Sequence, residues 1–532
     1  MLTFDYRVVV REGDGSTLLT GGFTLDGGAA HVTRELPKGV IGSVTASAPL
    51  HLREGERVFL NGYQTWTYCP EYAARDMQRD HAPLMRHVID RYKLDRYGDY
   101  HFVDYPNRRG LFHGFSYCYF RLGREFRLIA SLSERAGYTI FRYDANNGEL
   151  SVERDCADMN CGGAFPCFDL FYAEGGEDEV FDAWFAALGV QPRTTKQLAG
   201  YSSWYNRFQD IDAQSIADDL AGCAPHLEAG DLFQIDDGWE PFVGDWLEPD
   251  AHKFPDGMRA VADAIHEQGL QAGLWLAPFV AQEGSALLRE HPDWLLYRDG
   301  RAWSGGSNWG GFYSLDIDRQ EVRDYLAGVF RRVFDDWGFD LVKLDFLYAA
   351  APFGSEDESR AARMTRALEL LRSWCGEHPI LGCGVPLMPA FGVVDYCRVS
   401  CDVTLDWDDK PHMRLIHRER PSTRQAMGSS VFRRQLNGRA FLSDPDVFFL
   451  RDENVRLTMG QKMMLAAFDA VIGGVFLHSD DMSRYSETAK RIYAASRRMR
   501  GATDVRVDTD GSWTLRYTLD GKPYEQPLDD LP

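Results

Sequence analysis

Eight short apolar runs, each followed by a helix-patterned or long polar stretch, recur between residues 201 and 477, and this alternation limits the fold more than any other feature. The runs are 201–204, 232–235, 271–276, 341–344, 380–382, 396–399, 440–442 and 474–477. Two of the intervening stretches have clear helical spacing. One has Pro255 near its first turn, Met258, Val261, Ala262 and Ile265 on one face, and Gly269 as its stop. The other begins near Asp318, spaces Val322, Tyr325, Leu326, Val329, Phe330, Val333 and Trp337 as a helix would, and ends at Gly338. This alternation predicts a (β/α)8 barrel with its functional site where the strands end.

The flanking segments have a different texture. Up to about residue 190 the chain reads as strand after strand, among them Tyr6–Val10, Phe126–Ala130 and Tyr138–Arg142, separated by turns such as Asp26-Gly27-Gly28 and Asn146-Asn147-Gly148. That pattern predicts an antiparallel β-sandwich. The last 50 or so residues return to short strands around Asp508-Thr509-Asp510-Gly511. The expected organisation is a multidomain α/β chain: a sandwich over 1–190, the barrel over 191–484 and a small C-terminal β domain over 485–532, within the range that 532 residues allow.

A net charge of −22 gives no basic stripe with which to displace counterions, so no nucleic acid partner is expected. No run approaches the roughly 18 apolar residues of a membrane span, and the first residues, Met1-Leu2-Thr3-Phe4-Asp5-Tyr6-Arg7, lack the basic-then-apolar order of a secretory signal. The ten cysteines are sparse, and Cys375, Cys383, Cys397 and Cys401 sit in apolar contexts that suit buried, reduced thiols, so a cytoplasmic location is expected. Cys156, Cys161 and Cys167 lack the spacing of a zinc site. The histidines are scattered, and no nucleotide-binding or serine-hydrolase motif occurs, so neither metal nor cofactor is expected. The composition leaves a homo-oligomer open.

Two of the apolar runs deliver an aspartate at their C-terminal end: Leu341-Val342-Lys343-Leu344-Asp345 and Cys397-Arg398-Val399-Ser400-Cys401-Asp402. A facing pair of carboxylates is the minimum needed to cleave a glycosidic bond with a nucleophile and a general acid. Lys343 lies two residues before Asp345, on the same strand face, and is expected to keep that carboxylate ionised. Asp402 is expected to be the acid if burial and a nearby charged Asp345 raise its pKa; an ordinary ion pair with Arg398 would act the other way. Asp236-Asp237-Gly238-Trp239 follows another strand and reads either as a pair of hydroxyl acceptors or as a turn. Trp204, Tyr205 and Trp275 add aromatic faces, and this acidic, aromatic mixture suits a sugar pocket. Asp444, Asp446, Asp480 and Asp481 also fall near strand ends, but Leu442-Ser443-Asp444-Pro445-Asp446 reads best as a helix cap with its turn.

Taken in order along the chain, Asn61-Gly62-Tyr63-Gln64-Thr65-Trp66, Ser203-Trp204-Tyr205-Asn206, Gln234-Ile235-Asp236-Asp237-Gly238-Trp239, Lys343-Leu344-Asp345-Phe346-Leu347 and Leu381-Gly382-Cys383-Gly384-Val385-Pro386-Leu387 resemble glycoside hydrolase family 36, the α-galactosidases, in its compact prokaryotic form. The resemblance implies a retaining exo-glycosidase that releases terminal α-D-galactosyl residues from oligosaccharides or glycoconjugates. It implies Asp345 as nucleophile and Asp402 as acid/base. By the same resemblance Asp236 and Asp237 hold the 4- and 6-hydroxyls, Lys343 and Arg398 support the others, Trp204, Tyr205 and Trp275 line the sugar subsite, Cys383 lies near the 2-hydroxyl, and Trp66 reaches in from the sandwich. Ser400-Cys401 stands where similar enzymes often have Gly-Pro. An α-N-acetylgalactosaminidase of the same mechanism and a catalytically silent galactoside-binding protein are the alternatives.

Overall fold

The structure is a computed structural model that describes residues 1–80, 85–408, 418–529 and 531, so Pro532, the last position of the expected C-terminal unit, lies outside the described residues. In the N-terminal segment, eleven strands form one antiparallel hydrogen-bonded sheet. Strand Leu2–Glu12 shows why: Leu2, Phe4, Tyr6, Val8 and Val10 turn inward while Thr3, Asp5 and Arg7 face water, the two-residue period of a half-buried strand. Gly28–Pro49, 22 residues long, pairs with Asn160–Gly176 over its first part and with Glu149–Asp155 near its end. The expected sandwich is therefore one continuous sheet folded over itself. Phe120 and Tyr143, on well-separated strands, pack with ring centroids 4.8 Å apart. The strands at the two ends of the sheet meet through stacked Tyr72 and Phe112, 4.7 Å apart.

The parallel strands that follow are β1 (Leu198–Ser202), β2 (Leu232–Ile235), β3 (Gln271–Leu276), β4 (Leu341–Leu344), β5 (Ile380–Gly382), β6 (Tyr396–Arg398), β7 (Leu442–Asp444) and β8 (Val475–His478). They pair in sequence order from β1 to β7, and β8 pairs with β1. The β7–β8 seam is closed differently: Gly474 N–H donates to Ser443 O at 2.9 Å, and the short run Val447–Phe448 then pairs with Leu477–His478. Between these two contacts lie Pro445, which has no N–H to offer a ladder, and Asp446, held at φ 90°. The barrel strands are buried on both faces, as in β4, where Leu341, Val342, Lys343 and Leu344 are all buried.

Two strands sit two or more residues from their expected starts, while β6 ends one residue early and β8 sits one residue later. The first begins at 198 rather than 201, so Trp204 opens a short helix, Trp204–Arg207. The seventh starts at 442 rather than 440 because residues 437–441 form a tight turn in which Gly438 N–H donates to Phe441 O. The helical spacings hold. Gly257–Glu267 buries Met258, Ala262 and Ile265; Gln320–Arg331 buries Val322, Leu326, Val329 and Phe330, then widens over Arg332–Asp336 before Gly338 stops it at φ 78°.

Three antiparallel strands, Thr503–Asp508, Thr514–Leu519 and Lys522–Pro527, end the chain. All ten cysteines are unpaired. Among the described residues no helix is long and apolar enough to cross a membrane, and no group of side chains is arranged to hold a metal ion.

Candidate active site

The C-terminal ends of the barrel strands open into a cavity of about 340 Å³, within the size range of small-molecule sites. Asp236, Asp237, Asp345, Asp402, Lys343, Arg398, Trp204, Tyr205, Trp275 and Trp66 all line it. Cys383 lies one layer behind, fully buried, and receives the Trp66 indole N–H at 3.3 Å.

Trp66 comes from the N-terminal sheet, and its place is fixed by Arg433. This fully buried guanidinium donates to Asn61 Oδ1 (3.0 Å), Gln64 O (3.1 Å), Thr65 O (2.6 Å) and Val399 O (3.0 Å), tying the 61–66 loop to the end of β6. Gly384 faces the Trp66 ring so closely that a Cβ there would sit 3.0 Å from it. The positive φ of 56° at Gly384 also favours glycine.

At the end of β2, Asp236 accepts from Lys343 Nζ and from Gln234 Nε2, each at 2.8 Å, while Ser203 Oγ accepts from its backbone N–H at 2.9 Å. Asp237 accepts from Gln209 Nε2 at 2.8 Å and Trp309 Nε1 at 2.7 Å. The Asp236-Asp237 pair therefore sits at the cavity wall with each carboxylate held by its own donors. Its turn needs Gly238, at φ 118°, where a Cβ would sit 2.8 Å from the Gln209 backbone. Burial raises the Asp237 carboxyl above its usual range, with the Asp236 charge adding to the rise and donors from Glu240, Trp309 and Gln209 opposing it. Burial, with the neighbouring Asp237 charge adding to it, pushes the almost fully buried Glu240 carboxyl well above its usual range.

The direct partner of Lys343 is Asp236, not Asp345. Burial alone would lower the Lys343 ammonium, but Asp236, and after it Asp345, holds it above its usual value. Asp345 accepts from Trp275 Nε1 at 3.2 Å and from Phe346 N–H at 2.9 Å. Its pKa is raised rather than lowered as expected: burial dominates, Lys343 pulls it down, and Asp402 pushes it up. Asp402 is partly exposed and pairs with Arg398 Nη2 at 3.0 Å, so the ion pair foreseen as the alternative is the arrangement present. Burial and the Asp345 charge hold the Cys383 thiol well above its usual value, in its protonated form.

Reading Asp444 and Asp446 as a helix cap fails. The next helix starts at Met459 with Thr458 as its cap, and both aspartates are buried in the barrel. Asp446 Oδ2 pairs with Arg398 Nη2 at 3.0 Å and accepts from Tyr205 Oη at 2.7 Å and Val403 N–H at 2.8 Å. Asp481 does cap a short turn, accepting from Ser483 N–H at 3.0 Å, while Asp480 pairs with Arg451 at 2.7 Å.

Several wall residues escaped the sequence reading: Gln209, Trp309, Tyr97, Phe346 and Glu419. Tyr97 Oη donates to Asn308 Oδ1, joining the N-terminal segment to the loop that carries Trp309. A signal for that loop was present in Ser304-Gly305-Gly306-Ser307-Asn308-Trp309-Gly310-Gly311, where a lone tryptophan sits among glycines. Trp309 at φ 56° and Phe346 at φ 53° both hold left-handed backbone, a strain that collects at functional sites.

Known proteins resemble this chain in the same region and across the whole fold. Residues 199–369 match the Melibiase family. The chain is 36% identical over 122 residues to α-galactosidase Mel36A of Lactobacillus acidophilus, a stretch covering 22% of this chain and 16% of that protein. It is 34% identical over 142 residues to a blood-group A α-D-galactosamine galactosaminidase of Flavonifractor plautii, covering 24% and 13%. These alignments thus span under a fifth of the curated relatives. The α-galactosidase of Thermus thermophilus, solved with p-nitrophenyl α-D-galactopyranoside, has a TM-score of 0.74 at 27% identity, with 98% of each chain covered.

Proposed function

We propose, for a chain that belongs to glycoside hydrolase family 36, that it is a retaining α-galactosidase releasing terminal α-D-galactose from oligosaccharides or glycoconjugates. The observation that carries this is that Asp345 and Asp402 line one cavity together with Asp236 and Asp237. In this reading Asp345 attacks the anomeric carbon and Asp402 gives its proton to the departing oxygen. Asp402 then takes a proton from water, which releases the sugar from Asp345 with its α configuration retained.

The remaining groups have defined work. Asp236 and Asp237 accept from sugar hydroxyls, and Lys343 keeps Asp236 in place. Trp275 orients Asp345 through its indole N–H. Trp204, Tyr205 and Trp66 supply apolar faces for the ring's C–H surface. Catalysis is assigned to the 191–484 unit, with Trp66 contributed by the 1–190 unit. Ten unpaired thiols support a reducing, cytoplasmic setting.

Hydrolysis of nitrophenyl α-galactoside, with the first-formed anomer read by proton NMR, tests this reading. Release of α-galactose is expected. First-formed β-galactose would overturn double displacement, and faster release from the matching N-acetylgalactosaminide would overturn the assigned sugar.

A further inference from the structure

Asp446 does not itself line the cavity, yet it shares a guanidinium with the proposed acid. Arg398 Nη2 stands 3.0 Å from Asp402 Oδ1 and 3.0 Å from Asp446 Oδ2. Arg398 and Asp446 are both buried, whereas Asp402 is partly open to the cavity. Tyr205 Oη and Val403 N–H complete the set of donors on Asp446 Oδ2. The strained backbone at Asp446, φ 90° beside Pro445, aims this carboxylate at Arg398.

We propose that Asp446 is a positioning residue that sets the proton affinity of Asp402 by dividing the Arg398 charge between the two carboxylates. This rests on Asp402 being the acid/base. While Asp446 is ionised, it takes part of the Arg398 field, and Asp402 keeps its proton to higher pH than it would beside an undivided cation. Removing the Asp446 charge leaves Arg398 to Asp402 alone, so Asp402 loses its proton at lower pH.

The charged and titratable groups around Asp446 come from every neighbouring element. They are Arg398 at the end of β6, Asp402 after it, Asp444 on β7, Lys343 on β4, Tyr205 after β1 and Asp469 on helix Met459–Ile472. Burial pushes Asp446 up to about 7 against the pull of Arg398, with Asp402 and Asp444 adding to the rise.

The test is the pH profile of kcat/KM for Asp446→Asn on two galactosides, one with a nitrophenolate leaving group that departs without a proton and one with an alkyl alcohol that needs one. On the alkyl galactoside the basic limb should move down by about one pH unit, with a loss that grows to about 10-fold above the limb; on the nitrophenyl substrate the loss should stay within about threefold. Tyr205→Phe removes a donor that favours the ionised form of Asp446, so Asp446 carries less charge at a given pH and the limb should move the same way by less; it guards against a variant that folds poorly. Equal losses on both substrates with an unmoved limb would overturn this proposal alone. A wild-type protein silent on both galactosides would overturn the α-galactosidase reading and this proposal with it.

Discussion

Lys343 Nζ lies 2.8 Å from Asp236 Oδ2, so the cation two residues before Asp345 belongs to a carboxylate two strands away. Asp345 feels Lys343 only as a nearby charge.

Replacing Lys343 by Met leaves Asp236 buried without its cation, and breaking a buried pair from one side is costly. We expect kcat/KM to fall by about 100-fold or more, and Lys343→Met with Asp236→Asn to lose much less than the sum of the single effects. Additive losses in that cycle would show that the pair does not act as a unit.

Asp345→Ala removes the proposed nucleophile without touching the barrel's apolar layers. Turnover should fall by about 10⁴-fold or more, and azide should restore part of it by yielding β-galactosyl azide, visible by NMR. A variant with a wild-type rate would place the nucleophile elsewhere.

Arg433 is fully buried and is held by carbonyl and amide oxygens alone. Arg433→Met strands those acceptors, and at roughly 1 kcal/mol or more each the loss should reach about 3 kcal/mol in urea unfolding. KM should rise as well, because Trp66 loses its anchor; a stability loss with an unchanged KM would detach Trp66 from substrate.

Asp469 sits fully buried, with neither carboxyl oxygen hydrogen-bonded among the described residues. Burial, with Asp446 and Asp444 adding to it, pushes its carboxyl well above the usual range. Its folded-state value is thus raised, so its contribution to stability is whole below the unfolded value of about 3.9 and is lost as pH rises toward the folded one. Asp469→Asn carries no such loss. The variant's melting temperature relative to wild type should therefore be higher at about pH 8 than at about pH 5, and a pH-independent difference would contradict the buried-acid assignment.

The barrel was legible because its strands are buried on both faces and read as mostly apolar runs, so 232–235, 271–276, 341–344 and 380–382 fall at their expected limits. Asp236, Asp237 and Asp345 were legible for the same reason: each stands within two residues of the end of such a run. Partners across the barrel were not. The attachment of Lys343 to Asp236 depends on strand stagger, which leaves no trace in local spacing. Asp446 was misread because Asp-Pro-Asp carries turn chemistry, and here that turn is a break inside a strand rather than a helix start. Trp309 and Gln209 lie in loops, where neither the 3.6- nor the 2-residue period applies.

Trp66, Leu94 and Tyr97 all precede the first barrel strand and yet wall the cavity. A barrel alone would carry a trough open on that flank, which would admit the middle of a polymer as readily as its tip. Under the proposed exo action, the flank that would turn away the middle of a polymer is built by the layer that carries none of the proposed catalytic groups.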